Sequence, residues 1–271
     1  MKALPILMYH HVSPAPGLVT VSPQVFRQHI EWLARNGWST LGAKEIEDFY
    51  AGRDIPKKSV VITFDDGYLD NFVYAHPVLA EFDCRAMLFV ATAWLGDGSV
   101  RHGKPDCPEH SECKRRLREG NGDSVMLRWS EVEAMRLTGT FEFHSHTHTH
   151  TRWDKELPPG EVRIAALTED LARSRETLAA RLGTASQHLC WPQGYFDPAY
   201  VKAATESGFR YLYTTVKRPN LSTDNPQHIG RIVTKERSAG WLGRRMMIYG
   251  SSVLGGLYLK LRGDADEYRL S

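Results

Sequence analysis

The chain has 271 residues, 42% of them hydrophobic and 24% charged, the composition of a folded domain and not of a disordered or low-complexity segment. That length suits one large α/β domain with a sizeable core. Lys and Arg total 34 against 32 Asp and Glu, a formal net charge of +2, so no global field draws the chain to a polyanion and no nucleic-acid partner is expected.

The first residues, MKALPILMYHHVSP, carry one Lys and no long apolar run, so they are expected to form a first strand and not a secretion signal. Ser22-Pro23 then supplies an N-cap and a first-turn proline, Phe26, Ile30 and Leu33 recur at helical spacing, and Gly37 closes the helix. A shorter helix around Glu45 to Tyr50 precedes the β-branched run Ser59 to Phe64, which ends abruptly at Asp65-Asp66-Gly67. A helix over Asp70 to Phe82, a strand over Arg85 to Ala91, a helix from Ser130 with Glu133 closing a capping box, and a strand over Thr140 to Phe143 follow. Gly160 to Leu182 reads as a long amphipathic helix, QHLCW as a strand, Pro198 to Ser207 as a helix, and RYLYTT and RIVT as short strands. Cys84, Cys107, Cys113 and Cys190 are unevenly spaced, which fits free thiols in a reducing, cytoplasmic location.

Strands alternating with helices imply a parallel sheet covered by helices, either open or closed into a barrel, with chemistry at the C-terminal strand ends. Three polar clusters fall there: Asp65-Asp66, the histidines of FHSHTHTHT, and Trp191-Pro192-Gln193-Gly194. The turns lack a Gly-rich phosphate loop, which argues against dinucleotide or NTP chemistry. The polar stretch Gly96 to Asp123 is expected to be an insertion over one barrel face. Its His102, Cys107, His110 and Cys113 are a candidate structural zinc site, although their spacing fits no standard finger.

Two adjacent carboxylates at a strand end repel each other unless a cation or a proton resolves the clash. His144, His146, His148 and His150 supply imidazoles nearby, and two of them with one carboxylate make a three-ligand catalytic site that keeps a position open for water. The other carboxylate is then placed to act as general base. Read alone, Asp65-Asp66-Gly67 also fits a plain turn or N-cap, and the histidine run a solvent-exposed metal-sticking tract.

Thr63-Phe64-Asp65-Asp66-Gly67 resembles the first motif of the polysaccharide deacetylase family (the NodB-homology domain, carbohydrate esterase family 4). The family's second motif, His-Ser/Thr-x-x-His, is met in two registers, His144 with His148 and His146 with His150. Glu142-Phe143-His144-Ser145 ahead of the second register favours His146 and His150. The resemblance implies a single distorted (β/α) barrel, Asp65 as general base, and Asp66, His146 and His150 as ligands of a divalent metal, Zn²⁺ first with Co²⁺ or Ni²⁺ possible. Cys190-Trp191-Pro192-Gln193-Gly194 is similar to the third motif, with Cys190 and Gln193 in place of the Arg and Tyr of one form. Its implied oxyanion donor is the Gln193 backbone N–H. The late Leu-x-x-His is poorly matched by Asn225-Pro226-Gln227-His228. Met8-Tyr9-His10 instead resembles the poly-N-acetylglucosamine deacetylase branch, which implies His10 as general acid. Arg231-Ile232 is similar to that branch's late Arg-Ile, an arginine that braces the catalytic carboxylate; otherwise Arg231 reads as a surface strand residue.

The expected organisation is a barrel over residues 1–237 with an insertion at about 96–123, and a basic, apolar C-terminal segment over 238–271. From Gly240 to Arg262 the chain has Arg244, Arg245, Lys260 and Arg262 and no carboxylate. This segment is expected either to pack on the barrel or to lie at an anionic membrane surface. The expected activity is hydrolysis of an N-acetyl group on a saccharide, lipid-linked or nucleotide-linked because the location is cytoplasmic. An amidohydrolase on a non-sugar amide and a silent metal- and glycan-binding barrel are the alternatives.

Overall fold

The computed structural model describes residues 3–103 and 105–262. In chain order the strands are β1 (Ile6–Tyr9), β2 (His11–Val12), β3 (Thr20–Val21), β4 (Ser39–Thr40), β5 (Ser59–Asp66), β6 (Ala86–Val90), β7 (Phe141–Ser145), β8 (His188–Cys190), β9 (Tyr211–Tyr213) and β10 (Ile232–Val233). The helices are α1 (Pro23–Arg35), α2 (Ala43–Tyr50), α3 (His76–Glu81), α4 (His110–Arg118), α5 (Trp129–Leu137), α6 (Trp153–Glu156), α7 (Glu161–Leu182), α8 (Pro198–Glu206), α9 (Ala239–Tyr249) and α10 (Ser252–Arg262). The main sheet runs β10-β1-β5-β6-β7-β8-β9 with every neighbour parallel, and β4 adds to β5. A parallel bridge from Tyr213 to Ile229 draws its last strand back toward the first. The chain therefore folds as a curled parallel sheet with helices outside, a distorted (β/α) barrel.

All eight residues of β5 are buried, as a parallel strand covered on both faces must be. Because side chains alternate, one set faces the outer helices and packs with Phe26, Ile30 and Leu33 of α1. Each such apolar side chain contributes roughly 1.5–3 kcal/mol when fully buried. The other set faces the barrel interior, where Ile6, Val61, Met87, Phe89 and Tyr213 meet Ile46 and Phe49 of α2. α2 thus closes the N-terminal end of the barrel and leaves the C-terminal end for the site. Ser22 caps α1 by accepting the Val25 N–H, and Gly183 ends α7 in the left-handed conformation, as the cap residues require.

Three expectations are corrected. The helix over Asp70 to Phe82 is a π-helical turn, Asn71–Ala75, followed by α3. Pro77 has no N–H to donate and so cannot carry an α-helix through, while the Asn71 side-chain amide donates to the His10 carbonyl at 2.8 Å and holds the turn to the end of β1. α5 begins at Trp129, not Ser130, and Glu131 closes its box on the Arg128 N–H at 2.9 Å, because the Ser130 hydroxyl is donated to Gly98. The 96–123 region contains a helix, α4, where no periodicity was visible. Its Cys113 and Leu117 pack on Tyr68, Val125, Met126 and Trp94.

The C-terminal segment forms two helices. α9 lies against α1 so closely that a Cβ at Gly243 would fall 2.7 Å from the Trp32 ring. α10 leaves Val253, Leu254, Leu257 and Leu261 exposed, at 72%, 50%, 56% and 79%. No helix among the described residues is long and apolar enough to cross a membrane.

Candidate active site

β5 delivers Asp65 and Asp66 to the C-terminal rim, and neighbouring strands bring their partners. Asp65 is buried and gripped by Arg231, whose Nη1 and Nη2 donate to Oδ1 at 2.7 Å and Oδ2 at 2.8 Å. Arg231 is itself fully buried just ahead of β10 and also donates to the Thr214 carbonyl and the Thr63 hydroxyl. The reading of a surface arginine is therefore overturned. Burial works against ionisation of Asp65, but the Arg231 guanidinium, helped by His10, outweighs it and holds the carboxyl below its usual range. Cys190, where one form of the third motif has Arg, lies with its Sγ 3.0 Å from Arg231 Nη2 and 3.7 Å from Asp65 Oδ2.

Asp66 turns the other way because its φ is +77°, a strained conformation for a residue with a side chain. Its Oδ1 is buried without a hydrogen-bond donor and faces His146 Nε2 at 3.3 Å and His150 Nε2 at 3.2 Å. His146 Nδ1 donates to the Cys190 carbonyl at 2.8 Å, which leaves the Nε2 lone pair toward Asp66. His150 has a φ of +60°, and the Trp94 ring lies 4.8 Å from its own. An orphaned carboxylate oxygen beside two imidazole nitrogens in a His₂Asp set fits a divalent cation. Among the described residues, two triads have ligand atoms within 4.8 Å of one another, Asp66-His146-His150 and Asp65-His146-Cys190.

The other histidines of the run go elsewhere. His144 Nδ1 pairs with the Ser186 hydroxyl at 2.8 Å, and His148 Nδ1 with Thr92 Oγ1 at 2.8 Å, so the His144/His148 register is not assembled around Asp66. Neither triad includes His102, Cys107, His110 or Cys113.

His10 follows β1, with Nε2 3.7 Å from Asp65 Oδ2. Burial pushes its imidazole below the usual value, and Asp65 and Asp66 oppose that shift. Gln193 follows β8 with φ +55° and its side chain turned to Arg152 at 3.2 Å. Gly194 has φ +72°, and a Cβ there would meet Thr215 Oγ1 at 2.2 Å, so only glycine closes this turn.

Several rim residues were not singled out from the sequence. Tyr68 is buried, and its phenol is held protonated by burial and the nearby Asp66 carboxylate. His11 Nδ1 pairs with Asp70 Oδ2 at 2.6 Å and its Nε2 with His110 Nδ1 at 3.1 Å, tying α4 to the rim. The adjacency of Asp70 to the Asp-Asp-Gly motif was the available signal. Lys114 and Trp94 gave none, and His110 was read only as part of a candidate zinc site, because their placement depends on how the insertion folds back.

The curled parallel barrel carries at its C-terminal rim a buried His₂Asp set beside an arginine-braced second aspartate. The chain belongs to the polysaccharide deacetylase family, whose model matches residues 52–212. YxkH of Bacillus subtilis (strain 168) is 26% identical over 213 residues, 78% of this chain and 64% of that protein, so the chain spans less than two thirds of that relative's length. The poly-beta-1,6-N-acetyl-D-glucosamine N-deacetylase of Staphylococcus aureus (strain N315) is 23% identical over 80% of this chain and 68% of its own. Among solved structures, IcaB from Ammonifex degensii superposes with a TM-score of 0.72 at 25% identity, covering 91% of this chain and 97% of that one.

Proposed function

We propose that the chain is a metal-dependent N-deacetylase that hydrolyses the acetamido group of a saccharide to acetate and the free amine, with a cytoplasmic nucleotide-linked or lipid-linked saccharide as substrate. The observation that carries this reading is the side-by-side pair of carboxylates with opposite surroundings. Asp65 is braced by Arg231, and Asp66 is left without a donor between His146 and His150.

Asp66, His146 and His150 would hold the cation, Zn²⁺ in this reading, with Co²⁺ or Ni²⁺ accepted by the same donors. When bound it would polarise the acetyl carbonyl and acidify the attacking water. Asp65, kept ionised and aligned by Arg231, takes the proton of that water. The Gln193 N–H, presented by a strained turn, donates to the developing oxyanion. His10, whose Nε2 lies 3.7 Å from Asp65 Oδ2, gives a proton to the departing nitrogen. A pure binding protein has no use for a buried, arginine-aligned carboxylate, whose pairing recoups a desolvation cost of several kcal/mol (order of magnitude).

A second element of the proposal concerns α10. Its exposed Val253, Leu254, Leu257 and Leu261, with exposed Arg244 and Lys260 nearby, make a peripheral contact with an anionic membrane surface. Gly250 accepts the Ala3 N–H, and Gly255 sits against Pro219, so this patch lies toward the end where β1 begins. Asp65 and His10 lie at the opposite end. A surface bound there anchors the chain with its catalytic rim turned outward, which favours the nucleotide-linked substrate over a headgroup in the same bilayer.

Acetate release by the metal-loaded chain tests the reading, with soluble N-acetylated sugar nucleotides and a membrane lipid-saccharide extract as substrates and Asp65→Asn as the blank. Release from either pool above the blank is expected. Turnover only on non-sugar amides would replace this reading.

A further inference from the structure

We propose that α4 builds a recognition site for a phosphate group carried by the substrate, with the Lys114 ammonium as its cation and the His110 imidazole beside it. This rests on the deacetylase reading above and narrows it, since a nucleotide-linked and a lipid-linked saccharide both carry phosphate beside the sugar.

His110 and Lys114 stand four residues apart on α4 and so share one face. That face is held in place from both sides. Cys113 and Leu117 pack on Tyr68, Val125, Met126 and Trp94, and His110 Nδ1 is fixed by His11 Nε2 at 3.1 Å, with the Tyr68 hydroxyl at 3.5 Å. His11 is fixed in turn by Asp70 at 2.6 Å. With Nδ1 engaged, Nε2 is the nitrogen of His110 left for a ligand, and it has no protein partner among the described residues.

Lys114 is the partly buried unneutralised charge of this face, with the exposed Arg118 one turn further on. Its neighbours are consumed: Arg115 pairs with Glu112 and Glu119, and Arg116 with Glu112 and Asp106. Lys114 is half-buried and makes no ion pair among the described residues. Its charge is felt at both His110 and His150, so the side of α4 that carries it lies toward the metal-ligand set. A partly desolvated ammonium one helical turn from His110 has no ion-pair partner among the described residues, and phosphate brings both the charge and several acceptor oxygens. Trp94, against His150, adds an apolar wall suited to the face of a sugar ring.

The test is equilibrium binding to the full chain stripped of metal, which neither turns over nor offers phosphate a cation. The probes are N-acetylglucosamine, N-acetylglucosamine 1-phosphate, and N-acetylglucosaminyl-pyrophosphoryl polyprenol in phosphatidylcholine vesicles. At least one phosphate-bearing probe is expected to bind on the order of tenfold more tightly than the neutral sugar, the size of one charge-assisted hydrogen bond. Lys114→Gln should abolish that ratio and Lys114→Arg keep it. Preference for the free phosphate assigns a soluble substrate, and preference confined to the vesicles a lipid-linked one. No preference in the wild type, or an equal preference in Lys114→Gln, overturns the proposal. If the loaded enzyme releases no acetate from any probe while the Lys114-dependent preference persists, the deacetylase reading falls and the phosphate site stands.

Discussion

Two groups of histidines share the barrel interior one layer apart, and they are built on opposite plans. At the rim, His146 and His150 turn their Nε2 atoms toward one oxygen of Asp66, at 3.3 and 3.2 Å, and that oxygen has no donor. One layer below, His144 pairs with Ser186, and His188 bonds Tyr213 at 2.9 Å and Glu47 at 3.3 Å. His144 Nε2 is the exception there, unpaired and 3.7 Å from Glu142. Residue type does not separate the groups, because both offer imidazoles beside carboxylates. The difference lies in whether the lone pairs converge: at the rim they meet, and below they are spent on separate hydroxyls and carboxylates of the fold.

The largest effect expected from this contrast is on metal content. His146→Ala or His150→Ala should lose the bound metal and all metal-dependent acetate release, whereas His144→Ala and His148→Ala should retain stoichiometric metal by elemental analysis. Equal loss in His144→Ala would erase the distinction between the layers. Next comes Asp65→Asn, with metal kept and kcat lowered by roughly 10³-fold or more, followed by His10→Ala at about 10²-fold, within the range of general acid–base catalysis. Metal analysis beside the kinetics separates these from the ligand variants; if His10→Ala loses its metal as well, His10 is a ligand and not the acid. Arg231→Met should destabilise the fold by about 3–5 kcal/mol in a denaturant melt, because it strands a buried carboxylate. A melt unchanged from wild type would show that Asp65 is not held ionised by Arg231.

Much of the fold was legible because it is written locally. β5 carries the β-branched and aromatic run Val60 to Phe64, β6 is an unbroken apolar run, and α1 and α7 carry their own caps. α4 was invisible because most of its residues are charged; it is held to the body of the protein by His110, Cys113 and Leu117, and its ion pairs stay within the insertion. At the site, the family resemblance indicated residues that do lie together, Asp65, Asp66, His146, His150 and Arg231. Which register of the histidine run reaches Asp66 depends on a strand ending at Ser145 and on positive φ at Thr147 and His150. Tyr68, Trp94, His110 and Lys114 reach the rim through contacts across 40 or more residues, or through the fold of the insertion, and no local pattern encodes that.

The smallest effect sharpens the contrast from the lower layer. Burial pushes His188 down to about 4, against about 6.5 for an unfolded histidine. Between those values the unfolded chain binds a proton that the folded chain refuses, so stability rises with pH across the window and falls as pH drops from 6.5 through 4, by about 3 kcal/mol in full. Glu47, at 3.3 Å, opposes the shift without cancelling it. Burial also depresses His10, His29 and His110, so the wild-type slope is a sum, and a single variant is needed to isolate one share. Urea melts of wild type and His188→Gln at pH 7, 6, 5 and 4 make that separation. The variant should lose less stability on acidification, with the two curves drawing together toward pH 4. Parallel curves would mean that His188 accepts its proton in the folded state, and the lower layer would then be a charged cluster like the rim and not a neutral, hydrogen-bonded part of the core.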